Sequence, residues 1–356
     1  MALQDISTYI NYPLQENLDA DSTSDNFVMA IEKFDATVHT TVQKESILSG
    51  MFQWKPLIGT DTMSNAAMGD PILQAVTPGV EPAGKPIETG KMIVQVKTPI
   101  IARVTEPMLA AVQDHLDIKS RTPANFGKKI GKHEDEVLFV QTVKSILYEH
   151  ETIVPIHPSD SGTAVSNKGT GGILIRGTTV TLNSPGDETD ADEMDTAVTS
   201  LHQQLAEADL DPMSDGYLYM APEQYFTLLK SDKLINVDYS SGNGNYAGAM
   251  VSRVSGLPIK MTNRMSQTQN DSSSGGDTTN GDTIYELYGS AYATSATEAK
   301  IVAQYISSQT IMVAASIPLT TKVYWDDRLL CWFIDSYEAF GAAPDRTDLC
   351  GGIFKA

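Results

Sequence analysis

From Pro123, a residue suited to the first turn of a helix, Phe126, Ile130, Val137, Val140 and Leu147 recur on one helical face. Lys128, Lys129, Lys132, Glu134, Asp135 and Glu136 fall mostly on the other faces. This spacing predicts a helix of roughly seven turns, against a usual length of about three. So long a rod must lie along a long apolar surface, which few folds provide. Gly127 and Gly131 weaken its first turns, because glycine in a helix costs about 1 kcal/mol relative to alanine.

A second constraint lies upstream. Phe52, Trp54, Pro56 and Ile58 alternate with mostly polar neighbours, and so do Met92, Val94 and Val96, so two half-buried strands are expected. The stretch from 59 to 90 between them carries Gly59, Gly69, Pro71, Pro78, Gly79, Pro82, Gly84, Pro86 and Gly90. Structureless connections beyond about 12 to 15 residues usually have a task. A long, proline-stiffened projection is the simplest account.

Before the projection, Leu3 to Asp25 is polar, acidic and interrupted by Pro13, and reads as an arm without a core of its own. Ser22, Thr23 and Ser24 then cap a helix whose stripe is Phe27, Ile31, Phe34 and Val38. A single stripe needs a partner surface. Beyond the long helix, Ile173, Leu174 and Ile175 read as a strand centre, and acids from Asp187 to Asp192 open a second helix with Met194, Val198, Leu201, Leu205 and Ala208 inward. Short strands follow at Tyr217 to Met220, Pro258 to Thr262, Ile284 to Leu287 and Ile301 to Ala303, with a polar surface loop from Asn270 to Asp282. Val323 to Ile334 reads as a hairpin or a sharp strand bend around Asp326, Asp327 and Arg328. Helices and strands mix without strict βαβ alternation, which favours an α+β fold.

Composition then narrows the function. At 356 residues the chain has room for two or three structural units, and 41% hydrophobic residues supply a substantial core. Twenty-five basic against 45 acidic residues give a net charge of −20, which argues against a protein whose main task is gripping nucleic acid. No apolar run approaches the ~18 residues of a membrane helix. Cys331 and Cys350 fit no metal knuckle and read as buried thiols.

Catalytic patterns fail one by one. Gly79 to Pro86 has the glycine and lysine spacing of a phosphate loop, but Pro86 stands where a Ser or Thr must reach magnesium. The histidines, including His150 and His157 beside a strand entry, have no metal-ligand spacing. The acids from Asp187 to Asp195 suit a helix N-terminus better than a cation site, and the 271 to 282 loop misses the calcium-loop register. The residues therefore point to no active site, no cofactor and no metal.

One electrostatic feature remains. Lys119, Arg121, Lys128, Lys129 and Lys132 occur with no acid between them, whereas Asp187 to Asp215 holds ten acids and no base. Each segment suits a solvated face, and opposed patches on one chain also suit head-to-tail contacts between copies.

The order of these elements resembles the major capsid protein of tailed bacteriophages, the Hong Kong 97 type of shell fold, closest to podovirus-type members. The resemblance is carried by Phe27 to Phe34, Ile47-Leu48-Ser49-Gly50 and Trp54 to Gly59 at the entry to the extended loop. His115 to Ser120 and Phe126-Gly127 carry it at the approach to the spine helix. Tyr217 to Phe226, Gly256-Leu257-Pro258-Ile259 and Thr262-Asn263 are similar to the axial domain, and Ile334 to Pro344 to the return into the peripheral domain. Met51-Phe52 stands where such proteins often have Lys-Ser, and Asn270 to Asp282 looks like an insertion.

The resemblance implies an N-terminal arm over 1–49 and an extended loop over 50–98. It further implies a peripheral domain with the spine helix over 99–186, an axial domain over 187–310 and a return over 311–356. It implies a structural protein that assembles into hexamers and pentamers of an icosahedral head around double-stranded DNA, made in the bacterial cytoplasm and located in the virion. Scaffolding and portal proteins, and a decoration protein, would be its partners. Phe27, Ile31, Phe34, Trp54, Lys119, Arg121, Lys128, Lys129 and Lys132 are the candidate intersubunit contacts. An encapsulin-like nanocompartment shell and, from a different class, a metal-dependent hydrolase are the alternatives.

Overall fold

The structure, a computed structural model, describes residues 25–48, 50–68, 77–81, 89–107, 122–148, 177–207, 216–231, 244–245, 250–251, 253–270 and 284–356. The chain opens with helix α1 (Asp25–Glu45), followed by strands β1 (Trp54–Pro56), β2 (Thr62–Met68), β3 (Thr89–Gln95) and β4 (Ile100–Pro107). Helix α2 (Thr122–Leu147) is the long helix expected from Pro123. Next come β5 (Thr178–Thr181), α3 (Ala191–Glu207), β6 (Gly216–Met220), α4 (Pro222–Leu228), β7 (Gly244–Asn245), β8 (Met250–Val251), β9 (Arg253–Val254) and β10 (Leu257–Met261). The chain closes with α5 (Ile284–Tyr288), β11 (Ile301–Ser307), β12 (Ile311–Asp326), β13 (Cys331–Pro344) and β14 (Gly351–Phe354).

Two sheets organise the molecule. One has four strands in the order β1-β12-β13-β4, and the other has six in the order β5-β14-β11-β6-β10-β9. Strand order departs from chain order in both, so the fold is the expected mixture of helix and sheet without βαβ winding. The β12–β13 hairpin is the long element of the first sheet, with Val323 opposite Ile334 and Tyr324 opposite Phe333. Its turn covers the predicted Asp326-Asp327-Arg328 region, and Leu330 closes it at φ 48°.

Helix α2 touches both sheets along its length. Near its start Phe126 and Ile130 meet Phe34, Val38 and Val42 of α1 and Ile334 of β13. In its middle Val137, Leu138 and Phe139 pack against Tyr219 of β6, Ile306 of β11, Val313 of β12 and Phe340 of β13. Near its end Val143 and Ile146 join Ile301, Cys350 and Phe354. This environment corrects the amphipathic expectation, because Glu134 and Asp135 are buried along with the apolar face. A helix enclosed by two sheets and an arm keeps little solvent side for charged residues.

The six-stranded sheet carries α3 on one face. Met194, Val198, Leu201 and Leu205 are fully buried there with Leu218, Met220 and Leu257, as the four-three-four spacing predicts. Ala208 lies outside the described residues, as do Ile173 to Ile175 and the loop from 271 to 282.

Two further expectations change. Ile284 to Leu287 forms the helix α5 rather than a strand, with Ile284 and Tyr288 set against the core around Phe340. Ile58 is 88% exposed and follows the end of β1, so the strand there is shorter than the alternation implied. Part of the supposedly structureless stretch is β2, which pairs antiparallel with β3 from Thr62 opposite Gln95 to Met68 opposite Thr89.

Candidate assembly surface

Three parts of the chain stand out from the two sheets, and the candidate contact residues are sought on them. The first is α1. Its closeness to α2 is set by glycine: a Cβ on Gly127 would stand 2.6 Å from the Thr41 Cβ and 2.8 Å from the Val38 carbonyl oxygen. At Gly131 the nearest atom would be the Val42 carbonyl oxygen at 3.2 Å. The glycines therefore admit a neighbouring helix, and Phe34 meets Phe126 edge-on with ring centroids 6.3 Å apart.

Asp135 fastens the end of this limb. Its carboxylate accepts the Ser46 hydroxyl at 2.7 Å and the backbone N–H groups of Ile47 at 2.8 Å and Leu48 at 3.1 Å. The Arg264 guanidinium completes the set and also faces Glu45 at 3.8 Å. A buried carboxylate survives in such a place because every lone pair has a donor.

The second limb is the β2–β3 ribbon. Met92 and Val94 bury their side chains on Met312 and Ala314, and Gly341 lets the ribbon approach so closely that a Cβ there would be 2.8 Å from the Gln95 carbonyl oxygen. Lys91, Ile93 and Gln95 alternate outward, and Ile93 is 54% exposed. The third limb is the β12–β13 tip. Tyr324 stacks on Phe333 at 5.2 Å and Trp325 packs on Trp332 at 5.3 Å, a ladder that stiffens the hairpin below the exposed Leu329 and Leu330.

No family model matches the sequence, and no curated protein does. Solved structures do match. The capsid structure of cyanophage P-SCSP1u superposes with a TM-score of 0.68 at 15% identity, over 87% of this chain and 88% of that one. The mature capsid of bacteriophage PhiM1 gives 0.67 at 19% identity, over 87% of each chain. A chain of Mycobacterium phage Che8 gives 0.54 at 14% identity, over 86% of this chain and 90% of that one.

This is a phage capsid fold.

Against that capsid fold the predicted contact residues divide. Phe34 is buried on α2 of its own chain, so its ring serves the α1–α2 seam. Trp54 is half-buried against Phe340 at 5.3 Å, again within the chain. The lower half of α1 and the ribbon's root thus find part of their cover within the chain. The side chains of Phe27 and Ile31 lie outside the described residues, as do Lys119 and Arg121.

Lys128, Lys129 and Lys132 are exposed together on the first half of α2. Lys129 and Lys132 partly offset the burial that raises the Glu136 carboxyl above its ordinary range. Part of the acidic segment is engaged locally. Asp187 accepts the Ser184 N–H at 2.8 Å, Glu188 accepts the Gly186 N–H at 2.9 Å, and Asp190 accepts the Asp192 N–H at 2.9 Å at the start of α3. Asp192, Glu193 and Glu207 remain exposed on the capsid-fold surface.

Of the histidines considered for chemistry, His150 and His157 lie outside the described residues, and the described ones have structural neighbours. His39 faces Asp35 at 3.6 Å, His133 stacks on Tyr288 at 5.6 Å, and the His202 Nδ1 lies 2.5 Å from the Ser255 carbonyl oxygen. Cys331 and Cys350 are buried and unbridged, and burial pushes the Cys350 thiol up to about 12. Among the described residues no group of three or more His, Cys, Asp or Glu could hold a metal ion. Sequence reasoning missed the burial of Asp135 and Glu134, which it placed away from the core; the partners of Asp135 are 46–48 and 264, too far along the chain for any local pattern to reveal.

Proposed function

We propose that the chain is a structural shell protein, the major capsid protein of a tailed phage, which self-assembles into hexamers and pentamers of an icosahedral head around double-stranded DNA. The observation that carries this reading is the superposition on the P-SCSP1u capsid structure over 87% of the chain. Coverage of 87% of this chain and 88% of that one supports a shared mode of use.

The surface chemistry agrees. Ile58 just past β1, Ile93 on the ribbon and Leu329 and Leu330 at the β12–β13 tip are exposed apolar side chains, and scattered residues of this kind suit many modest contacts. A closed shell multiplies such contacts by symmetry, so no single interface must be strong. The net charge of −20 suits a container whose lining lets duplex DNA slide, since phosphate meets no basic surplus. In this reading 1–49 is the arm, 50–98 the extended loop, 99–186 and 311–356 the peripheral domain, and 187–310 the axial domain. Scaffolding and portal proteins act in assembly, and a decoration protein is compatible with the exposed surface. The head is the destination of a chain made in the host cytoplasm.

Electron microscopy of the purified chain tests the proposal. Closed shells, or rings of five and six, support it, and packaged DNA distinguishes a head from a nanocompartment filled with an enzyme. A monomer that binds Ca²⁺ or Zn²⁺ tightly and never forms particles would overturn it.

A further inference from the structure

Strands β12, β13 and β4 carry Val323, Ile334 and Ala102 on the face that meets Phe34 and Phe126. Side chains alternate along a strand, so the residues on either side of these point the other way. The registers set them in rows: Thr320, Tyr337 and Ile101; Lys322, Asp335 and Arg103; Tyr324, Phe333 and Thr105. In the middle row Arg103 donates from Nε to Asp335 Oδ1 and from Nη2 to Asp335 Oδ2, both at 2.7 Å. The same Nη2 reaches the Tyr324 hydroxyl oxygen at 3.2 Å, and the guanidinium carbon stands 5.2 Å from the centre of the Phe333 ring. The Lys322 ammonium lies over Tyr337 at 5.5 Å. Arg103 takes both Asp335 oxygens, so the row holds two cations against one carboxylate.

Two properties suit this outer face to a partner. It is ordered in advance: the bidentate pair and the Tyr324–Phe333 stack hold the side chains in place, so binding loses little of their freedom. It also opens apolar surface and positive charge side by side, with Ile101 50% and Tyr324 41% exposed next to the exposed Arg103 and Lys322. Copies of a chain with a net charge of −20 repel one another. Contact between them is favoured where an exposed cation of one meets carboxylates of the other. With 45 acidic against 25 basic residues, a second copy offers carboxylates in excess.

We propose that the outer face of β12, β13 and β4 is a seat for a second copy of this chain, Lys322 and Arg103 receiving its carboxylates and Ile101 and Tyr324 its apolar side chains. The inference rests on the shell reading and gives one of the shell's contacts a place on the molecule. A single surplus positive charge beside apolar groups matches a protein carboxylate, whereas duplex DNA is held by a surplus of many Lys and Arg residues.

Zero-length crosslinking tests the seat. Equal amounts of isotope-labelled and unlabelled full chain are assembled together, treated with a carbodiimide that joins amines to carboxylates, and digested for mass spectrometry. Lys322 should be joined to an Asp or Glu peptide in mixed-isotope pairs, which only two different copies can give. Lys322→Gln and Ile101→Ser, both at exposed positions, should leave urea unfolding of the subunit unchanged and raise the concentration needed for assembly by about tenfold at low salt, the Lys322 effect shrinking at high salt. Particles in which Lys322 stays unlinked or joins only its own chain would overturn the seat while leaving the shell reading intact. So would protection of Lys322 from acetylation by added duplex DNA but not by assembly, or wild-type assembly by both variants. A wild-type chain that never associates would overturn the shell reading and the seat with it.

Discussion

Asp135 and Arg264 form an ion pair where the end of α1, helix α2 and the segment after β10 meet, and Asp135 has no solvent exposure. The same carboxylate holds Ile47 and Leu48 by their backbone N–H groups, so a single side chain joins three stretches that are distant in sequence. Asp135→Ala would strand the guanidinium and both N–H donors. A destabilisation of ~3–5 kcal/mol is expected from removing one partner of a buried pair. Urea unfolding of the unassembled subunit measures it, and a loss under about 1 kcal/mol would show that the junction is held by other contacts.

The glycines on α2 give a graded prediction. Gly127→Ala gains up to about 1 kcal/mol of helix propensity but drives a methyl to 2.6 Å from Thr41, an overlap that costs about 1–3 kcal/mol. Gly131→Ala meets its nearest atom at 3.2 Å and should be close to neutral. A thermal midpoint lower for the first than for the second is expected. Equal midpoints would mean that α1 moves aside freely.

Core and surface should separate cleanly. Leu201 is fully buried between α3 and the six-stranded sheet, and Leu201→Ala should cost ~2–5 kcal/mol. Ile58 is 88% exposed, and Ile58→Ser should leave subunit stability within about 0.5 kcal/mol while lowering particle yield. Unchanged particle yield would remove Ile58 from the assembly surface.

Much of this architecture is legible in the sequence because local periodicity encodes it. The inward residues of α3, the alternation of Met92 and Val94, and the β12–β13 turn all follow from spacing and turn chemistry. Other features depend on partners that no window contains. Strand β2, with Ser64, Asn65 and Ala66 in its middle, lacks strand propensity and exists because β3 lies beside it. The Ile284 to Tyr288 segment has the aromatic and branched residues of a strand, yet it turns into a helix that seats Tyr288 on Phe340 and His133. The contact residues fared similarly. Phe34 has the spacing of an arm stripe, but spacing does not say whose surface covers it, and here the cover is Phe126 of the same chain.

Charge reversal at Lys128, Lys129 and Lys132 together probes the basic face of α2, whose three side chains are exposed. Subunit unfolding should change little, because exposed charges contribute weakly to stability. Assembly should slow, with an effect that shrinks as salt rises and screening shortens the reach of the charges. Normal particle yield at low salt would exclude an interface role for this face.

Sedimentation velocity of the purified chain over a range of concentrations tests the central claim most directly. Assembly as a shell protein predicts species of many times 38.5 kDa, as rings or closed shells, at the expense of free subunit as concentration rises. A single species of 38.5 kDa at every concentration, with its fold intact, would contradict it.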